Sequence, residues 1–550
     1  MGIFNGLYRN SWAKAAAVAM VGASLFMAGC GGGTKTASKE SSGSGSKKQV
    51  LTMASTNAPK TLNPVSATDT TAQMAVRMMF DSLLGEPEAN KFSNHLAESF
   101  TTKDKQTYTV KLNKKAKWTD GKPFTVDDII FSLNLYANPK VETYWNQYFK
   151  FIEGVKDNGK LAEGVKTISG LKKIDDYTLE FKCKVPLDEN YVKEKVGFNI
   201  LYVPKHIYEK LDPTKISAAQ EANKPAVFNG PYKLVKHVAN DHLEFAANEE
   251  YFRGKPKLKT IFMKIQNGTN MVVDLKAGKV QMSCGDGIGK LPMKDVELLK
   301  KEKHLVVKNV PSMNPQVMEI NNKHKEFNKD FRLALCYAIN RKQIVDQIYK
   351  GYSYVNPTVY TKASPAFEPN ALNPEYNPEK AKELLKKSGF DLNRELTLLV
   401  PVGNVPREQS ADIIEQNLRA IGLKIKEQKM DFPTLIGEVR KGEFDFALRG
   451  MDMQADPDSG ARLYQAGSLG NWSYVDDPKL TDMFNKAALE ADSAKRITMY
   501  KDIQKYLAEN QFHIDLYGEE DFIIQDKNLV GGIKPYWFGS LDNIHEWYFK

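Results

Sequence analysis

Two spacings of apolar side chains take turns along the chain. The runs Tyr108-Thr109-Val110-Lys111-Leu112 and Tyr177-Thr178-Leu179-Glu180-Phe181 alternate apolar with polar positions, the period of a strand buried on one face. Elsewhere apolar positions recur every three or four residues between recognisable ends. Thr125 predicts an N-cap with Asp128 as the third helical residue, and Ile129, Leu133 and Tyr136 follow on one face. Asn377 before Pro378 predicts a second helix start. Ala381, Leu384 and Leu385 supply its apolar stripe, and Gly389 suits a left-handed stop.

The segment 396–450 carries the topology. Strand-like Leu396–Val400, a helix over Arg407–Ile421, strand Leu423–Lys426, a helix over Pro433–Lys441 and strand Phe444–Leu448 follow one another. Alternation of this kind predicts an α/β fold with a wound sheet and parallel strands. Ligands of such sheets lie beyond the carboxyl ends of the strands, so the loop Arg449–Ser459 is placed where a binding site belongs.

The start of the chain adds an address. Arg9 and Lys14 precede an apolar run from Ala15 to Ala28 that ends at Gly29-Cys30. The run is shorter than the roughly 20 residues that span a bilayer, so residues 1–29 read as a secretory signal. Met27-Ala28-Gly29-Cys30 resembles a bacterial lipobox, which implies that Cys30 becomes the lipidated first residue. From Gly31 to Lys48 the chain is rich in Gly, Ser and Lys and buries too little to offset its ordering entropy, so residues 30–49 are expected to be a flexible tether. The body from Val50 onward is too long for one core, and at least two lobes are expected.

Composition mainly excludes. Half of the formal charge of +10 sits in the signal and tether, leaving a mild excess spread over the body with no basic block beside an aromatic platform. Nucleic-acid binding is therefore not expected. Beyond Cys30 there are Cys183, Cys284 and Cys336, an odd number without CxxC spacing. Cys336 lies in an apolar helical pattern and reads as a small buried hydrophobe. The eight histidines show no HExxH pattern, and there is neither a Walker-type phosphate loop nor a GxSxG elbow. No metal or cofactor is expected. A secreted hydrolase is the competing class, and no nucleophile, base and orienting group can be nominated for it.

Ordered motifs then identify a relationship. The string Lys117-Trp118-Thr119-Asp120-Gly121-Lys122-Pro123-Phe124-Thr125 with Asp127-Asp128 is accompanied by Thr61-Leu62-Asn63-Pro64, Gly230-Pro231-Tyr232 and Tyr251-Phe252-Arg253-Gly254-Lys255-Pro256. Further on come Arg332-Leu333-Ala334-Leu335, Tyr376-Asn377-Pro378-Glu379 and Asp456-Pro457-Asp458. In these the chain resembles the bacterial extracellular solute-binding family 5 from about Ala54 onward. The resemblance implies a two-lobed, class II periplasmic-binding-protein-like fold. Lobe I would span 50–270 plus 516–550, with an inserted subdomain at about 80–200, and lobe II would span 271–515. It also implies a monomeric binding protein, not an enzyme, anchored by lipid on the extracytoplasmic side of the membrane. Such a protein captures a short peptide and delivers it to ABC transporter permease subunits. Nickel chelates, haem, opines and sugars are the other ligand classes conceivable for the family.

In peptide-binding relatives an acidic residue of the second lobe holds the ligand's ammonium group. Its usual place, three residues before the acid of the acid-proline pair, is taken here by Met453. The resemblance leaves the anchor to Asp452, one residue back, or to Asp456, and Asp458 stands beside them as a candidate ligand-binding residue. Arg449 suits a ligand carboxylate because a guanidinium offers two parallel hydrogen bonds; the competing reading is a structural ion pair. Trp472, after a Gly-rich stretch, would wall a side-chain pocket or pack the lobe.

Overall fold

The computed structural model describes residues 49–550 apart from 286, 287, 452, 535 and 537. The predicted signal, nearly all of the tether, Cys30 and Asp452 therefore lie outside the described residues.

Local chemistry sets the element ends. Asp128 accepts the N–H of Thr125 at 2.9 Å, closing the predicted cap of helix Val126–Ala137. Asn377 accepts the N–H of Lys380 at 2.9 Å, Pro378 opens the helix, and Gly389 ends it at φ 74°. In the topology-bearing segment, Asn404 and Asp431 cap the helices Val405–Ala420 and Phe432–Lys441, each with proline in the first turn. These helices cross between parallel strands: Glu395–Pro401 pairs with Lys424–Met430 on one side and with Phe446–Gly450 on the other.

These three strands form one end of an eleven-stranded mixed sheet. Its middle is a long antiparallel pair, Leu305–Ile320 with His513–Asp526. Beyond that pair come Met282–Ser283, Val50–Ser55, Thr260–Ile265, His242–Ala247 and Tyr232–Val238. The register of the long pair shifts between Pro311 and Pro315, because proline cannot donate to the ladder. A separate four-stranded antiparallel sheet joins Ala97–Thr102, Thr107–Leu112, Leu171–Asp175 and Thr178–Lys182.

Three main cores follow from this layout. One gathers Leu51, Phe124, Ile129, Tyr202 and Phe245 with Trp547 and Phe549 from the end of the chain. A second stacks Phe327, Phe331 and Phe446 beside Phe390. Tyr464, Phe484 and Tyr500 centre the third. The C-terminal segment is also tied to the first core by charge. His95 sits between Asp81, 2.6 Å from Nδ1, and Asp542, 2.8 Å from Nε2. Burial alone would raise the Asp81 carboxyl, but His95 and Tyr251 pull it down to about 2. Cys336 is buried in the helix Lys329–Ala338.

Candidate functional site

Strand Phe446–Gly450 delivers the chain to the predicted loop at its carboxyl end. Asp456 then caps a short 3-10 helix, Pro457–Leu463, by accepting the N–H of Asp458 at 2.9 Å. Its carboxylate also takes both Nη groups of Arg496, at 2.6 and 3.0 Å, from helix Ser493–Asn510. Both groups are 2% exposed. Burial alone would raise the Asp456 carboxyl, and the Arg496 charge and its hydrogen bonds hold it below the usual carboxylate range.

Facing this loop is a seven-residue π-helix, Lys193–Asn199, whose i to i+5 pitch turns two adjacent charges inward. Glu194 accepts the N–H of Asp456 at 2.6 Å, and Lys195 donates to Gln454 Oε1 at 2.5 Å and to Glu194 at 3.2 Å. The amide of Gln454 donates in turn to the Tyr148 hydroxyl. The Lys195 ammonium also lies 5.2 and 5.6 Å from the ring centres of Tyr148 and Tyr191. Burial works against the charged form of Lys195, but Glu194 and Asp456 keep its affinity for the proton above the ordinary value. Glu194 is raised by burial in spite of Lys195, and Asp458 by burial and the Asp456 charge.

A cavity of about 610 Å³ opens beside this network. One wall is aromatic, made by Tyr144, Trp145, Tyr148 and Tyr191; Met453, Gln454, Asp458 and Arg462 form the opposite wall. The size and the mixture of apolar walls with a few fixed polar groups suit a small organic ligand. Among the described residues no group of three or more side chains is arranged to hold a metal ion.

The structure separates the residues singled out in the sequence. Asp458 lines the cavity and accepts the Tyr500 hydroxyl at 2.9 Å. Asp456 lies behind it, committed to Arg496. Arg449 is not among the cavity's lining residues. It is buried against Glu319, with Nε 2.5 Å from the carboxylate, and donates to the Gly470 carbonyl at 2.8 Å. Trp472 covers that guanidinium at 4.1 Å and tilts against Phe432, so these two candidates meet each other and not the aspartates. Met453 is buried in the third core with Met313 and Tyr360. Glu194 and Lys195 had no sequence signal, since a π-helix does not follow the 3.6-residue period, and Tyr148 and Tyr191 lie in helices of five and four residues, too short to show a period.

Comparison with known proteins identifies the family and the fold. The model of the bacterial extracellular solute-binding proteins, family 5 middle, matches residues 91–474. The oligopeptide-binding protein AppA of Bacillus subtilis is 25% identical over 547 residues, covering 95% of this chain and 96% of that protein. The ABC transporter substrate-binding protein CtaP of Listeria monocytogenes superposes with a TM-score of 0.80 at 23% identity, over 92% of this chain and all of that one. AppA of Bacillus subtilis, solved in complex with a nonapeptide, gives 0.75 at 22% identity over 92% of this chain and all of that one.

Proposed function

Because the chain belongs to the bacterial extracellular solute-binding proteins of family 5, we propose that it captures short peptides between two lobes and delivers them to the permease of an ABC importer. The observation that carries this reading is the 610 Å³ cavity, which draws one wall from residues 68–199 and the other from residues 453–462. Peptide as the ligand class is supported by the oligopeptide-binding name of a relative that spans nearly the whole chain. Lobe I takes 50–270 and 516–550, with the insertion at about 80–200, and lobe II takes 271–515. The packing of Trp547 with Leu51 and Phe245 supports returning the end of the chain to lobe I. With these bounds the chain crosses between the lobes at 270/271 and at 515/516, the second crossing lying within strand His513–Asp526, and the two crossings are the place for a hinge. Asp458, Lys195 and Gln454 supply polar contacts, and the tyrosines wall the side chains.

A solute that touches both walls favours the closed state, so a saturating peptide mixture should compact the protein and raise its melting temperature. At a free concentration a hundred times Kd the gain is about 2.7 kcal/mol. Small-angle scattering and melting curves unchanged by any peptide would refute closure on peptides.

Cys30 carries the anchor in this reading. Cys30→Ser should move the protein from the membrane to the soluble fraction without changing its melting temperature, since acyl chains and not the body hold it there. Retention of the variant on membranes would exclude the lipid.

A further inference from the structure

One buried acid behind the cavity has no counter-charge among the described residues. Glu86, on strand Leu84–Glu88, is 2% exposed. One of its oxygens accepts the Asn90 N–H at 2.9 Å. Among the described residues the other oxygen has no hydrogen-bond partner and the carboxylate has no cation within ion-pair distance. Its neighbours are provided for: Glu194 has Lys195, Asp456 has Arg496, and Asp458 has the Tyr500 hydroxyl. Among the described residues Glu86 is thus the one of these four carboxyl groups with neither a cation nor a side-chain hydroxyl in contact.

Glu86 and Glu194 line a void of about 10 Å³ together with Asn199, Met453 and Gln454. The last three also line the 610 Å³ cavity, so the void lies directly behind the cavity's inner wall. A void of this size admits one water-sized group at most. Burying a carboxylate without a partner is costly, and burial together with the Glu194 charge pushes the Glu86 carboxyl well above its usual range. A cation seated beside the carboxyl would offset that cost. Met453, at the position where the resemblance leads to an amine-binding aspartate, offers no charge.

We propose that Glu86, backed by Glu194, anchors the primary ammonium group of the bound solute in this void while the remainder of the solute fills the large cavity. This assignment rests on the peptide reading and deepens it. An ammonium is water-sized and has three donors, which suits the open Glu86 oxygen, the Glu194 carboxylate and the Gln454 or Asn199 carbonyl.

The test offers the full chain an equimolar mixture of tri- to nonapeptides with free or acetylated N-termini. Peptides retained in equilibrium dialysis are then quantified by mass spectrometry. Wild type should favour the free amine by about 30-fold or more, the loss expected when one member of a buried charge pair is removed. Glu86→Gln should abolish that preference, Glu86→Asp should keep part of it, and Glu194→Gln should reduce it. Glu86→Gln keeps an oxygen for the Asn90 contact in a side chain of nearly the same volume, so its melting temperature should not fall. Should it fall, the Glu194→Gln and Glu86→Asp results decide. Equal retention of acetylated and free peptides by wild type, or an undiminished preference in Glu86→Gln and Glu194→Gln, overturns the anchor and leaves the peptide reading standing. If wild type retains no peptide of either kind, the peptide reading falls and takes the anchor with it.

Discussion

Asp456→Ala should lower the stability of the protein by about 3–5 kcal/mol, because it strands the Arg496 guanidinium in a buried site. It should also weaken ligand binding. The same carboxylate caps the helix Pro457–Leu463, and without it Asp458 and Gln454 lose the loop geometry that places them on the cavity wall. Acid titration supplies a second readout. The folded-state carboxyl of Asp456 is held below its unfolded value. Its contribution is therefore complete above the unfolded pKa and is lost as the pH falls through the folded one. Wild type should lose this increment on acidification, and Asp456→Ala should lack it. Equal stability of the two proteins near neutral pH would show that Arg496 is accommodated elsewhere.

A loss of similar size is expected from Glu319→Ala. Glu319 is 1% exposed and accepts from Arg449 at 2.5 Å and from the Ser473 hydroxyl. Removing it leaves the Arg449 guanidinium with the Gly470 carbonyl and the face of Trp472 alone. Breaking such a pair costs about 3–5 kcal/mol, whereas replacing both partners by apolar groups of similar volume is often near neutral. Glu319→Leu combined with Arg449→Met should then recover much of the loss in a denaturation experiment. Binding by that double variant separates the two readings of Arg449: an ion pair of the scaffold predicts peptide affinity close to wild type, and a ligand-carboxylate contact predicts a large loss.

Periodicity and caps were enough to read the segment 396–448. Its helices and strands obey the ordinary spacings, and their ends carry Asn404, Asp431 and proline where the chemistry requires them. The parallel pairing on both sides of Glu395–Pro401 follows from that order. The long strand Leu305–Ile320 was not legible in the same way, since Pro311 and Pro315 interrupt it and its apolar positions do not alternate. Its continuity comes from pairing with His513–Asp526, some two hundred residues away in sequence.

The loop Arg449–Ser459 was singled out by its place at a strand's carboxyl end, and part of it does line the cavity. What its charges do depended on distant partners. Arg449 and Glu319 are 130 residues apart, and Asp456 and Arg496 are 40 apart. No local pattern announces either pair. The opposing wall was missed because Glu194 and Lys195, adjacent in a charged stretch, resemble a solvated surface until the π-helix turns both inward.

Native mass spectrometry of the protein, purified from its source without denaturation, bears most directly on its role. A capture protein for short peptides should carry a distribution of peptide masses, one per chain, that an added excess of tri- to nonapeptides displaces. A retained mass belonging to a nickel chelate, haem, an opine or a sugar, unmoved by those peptides, would contradict the peptide reading.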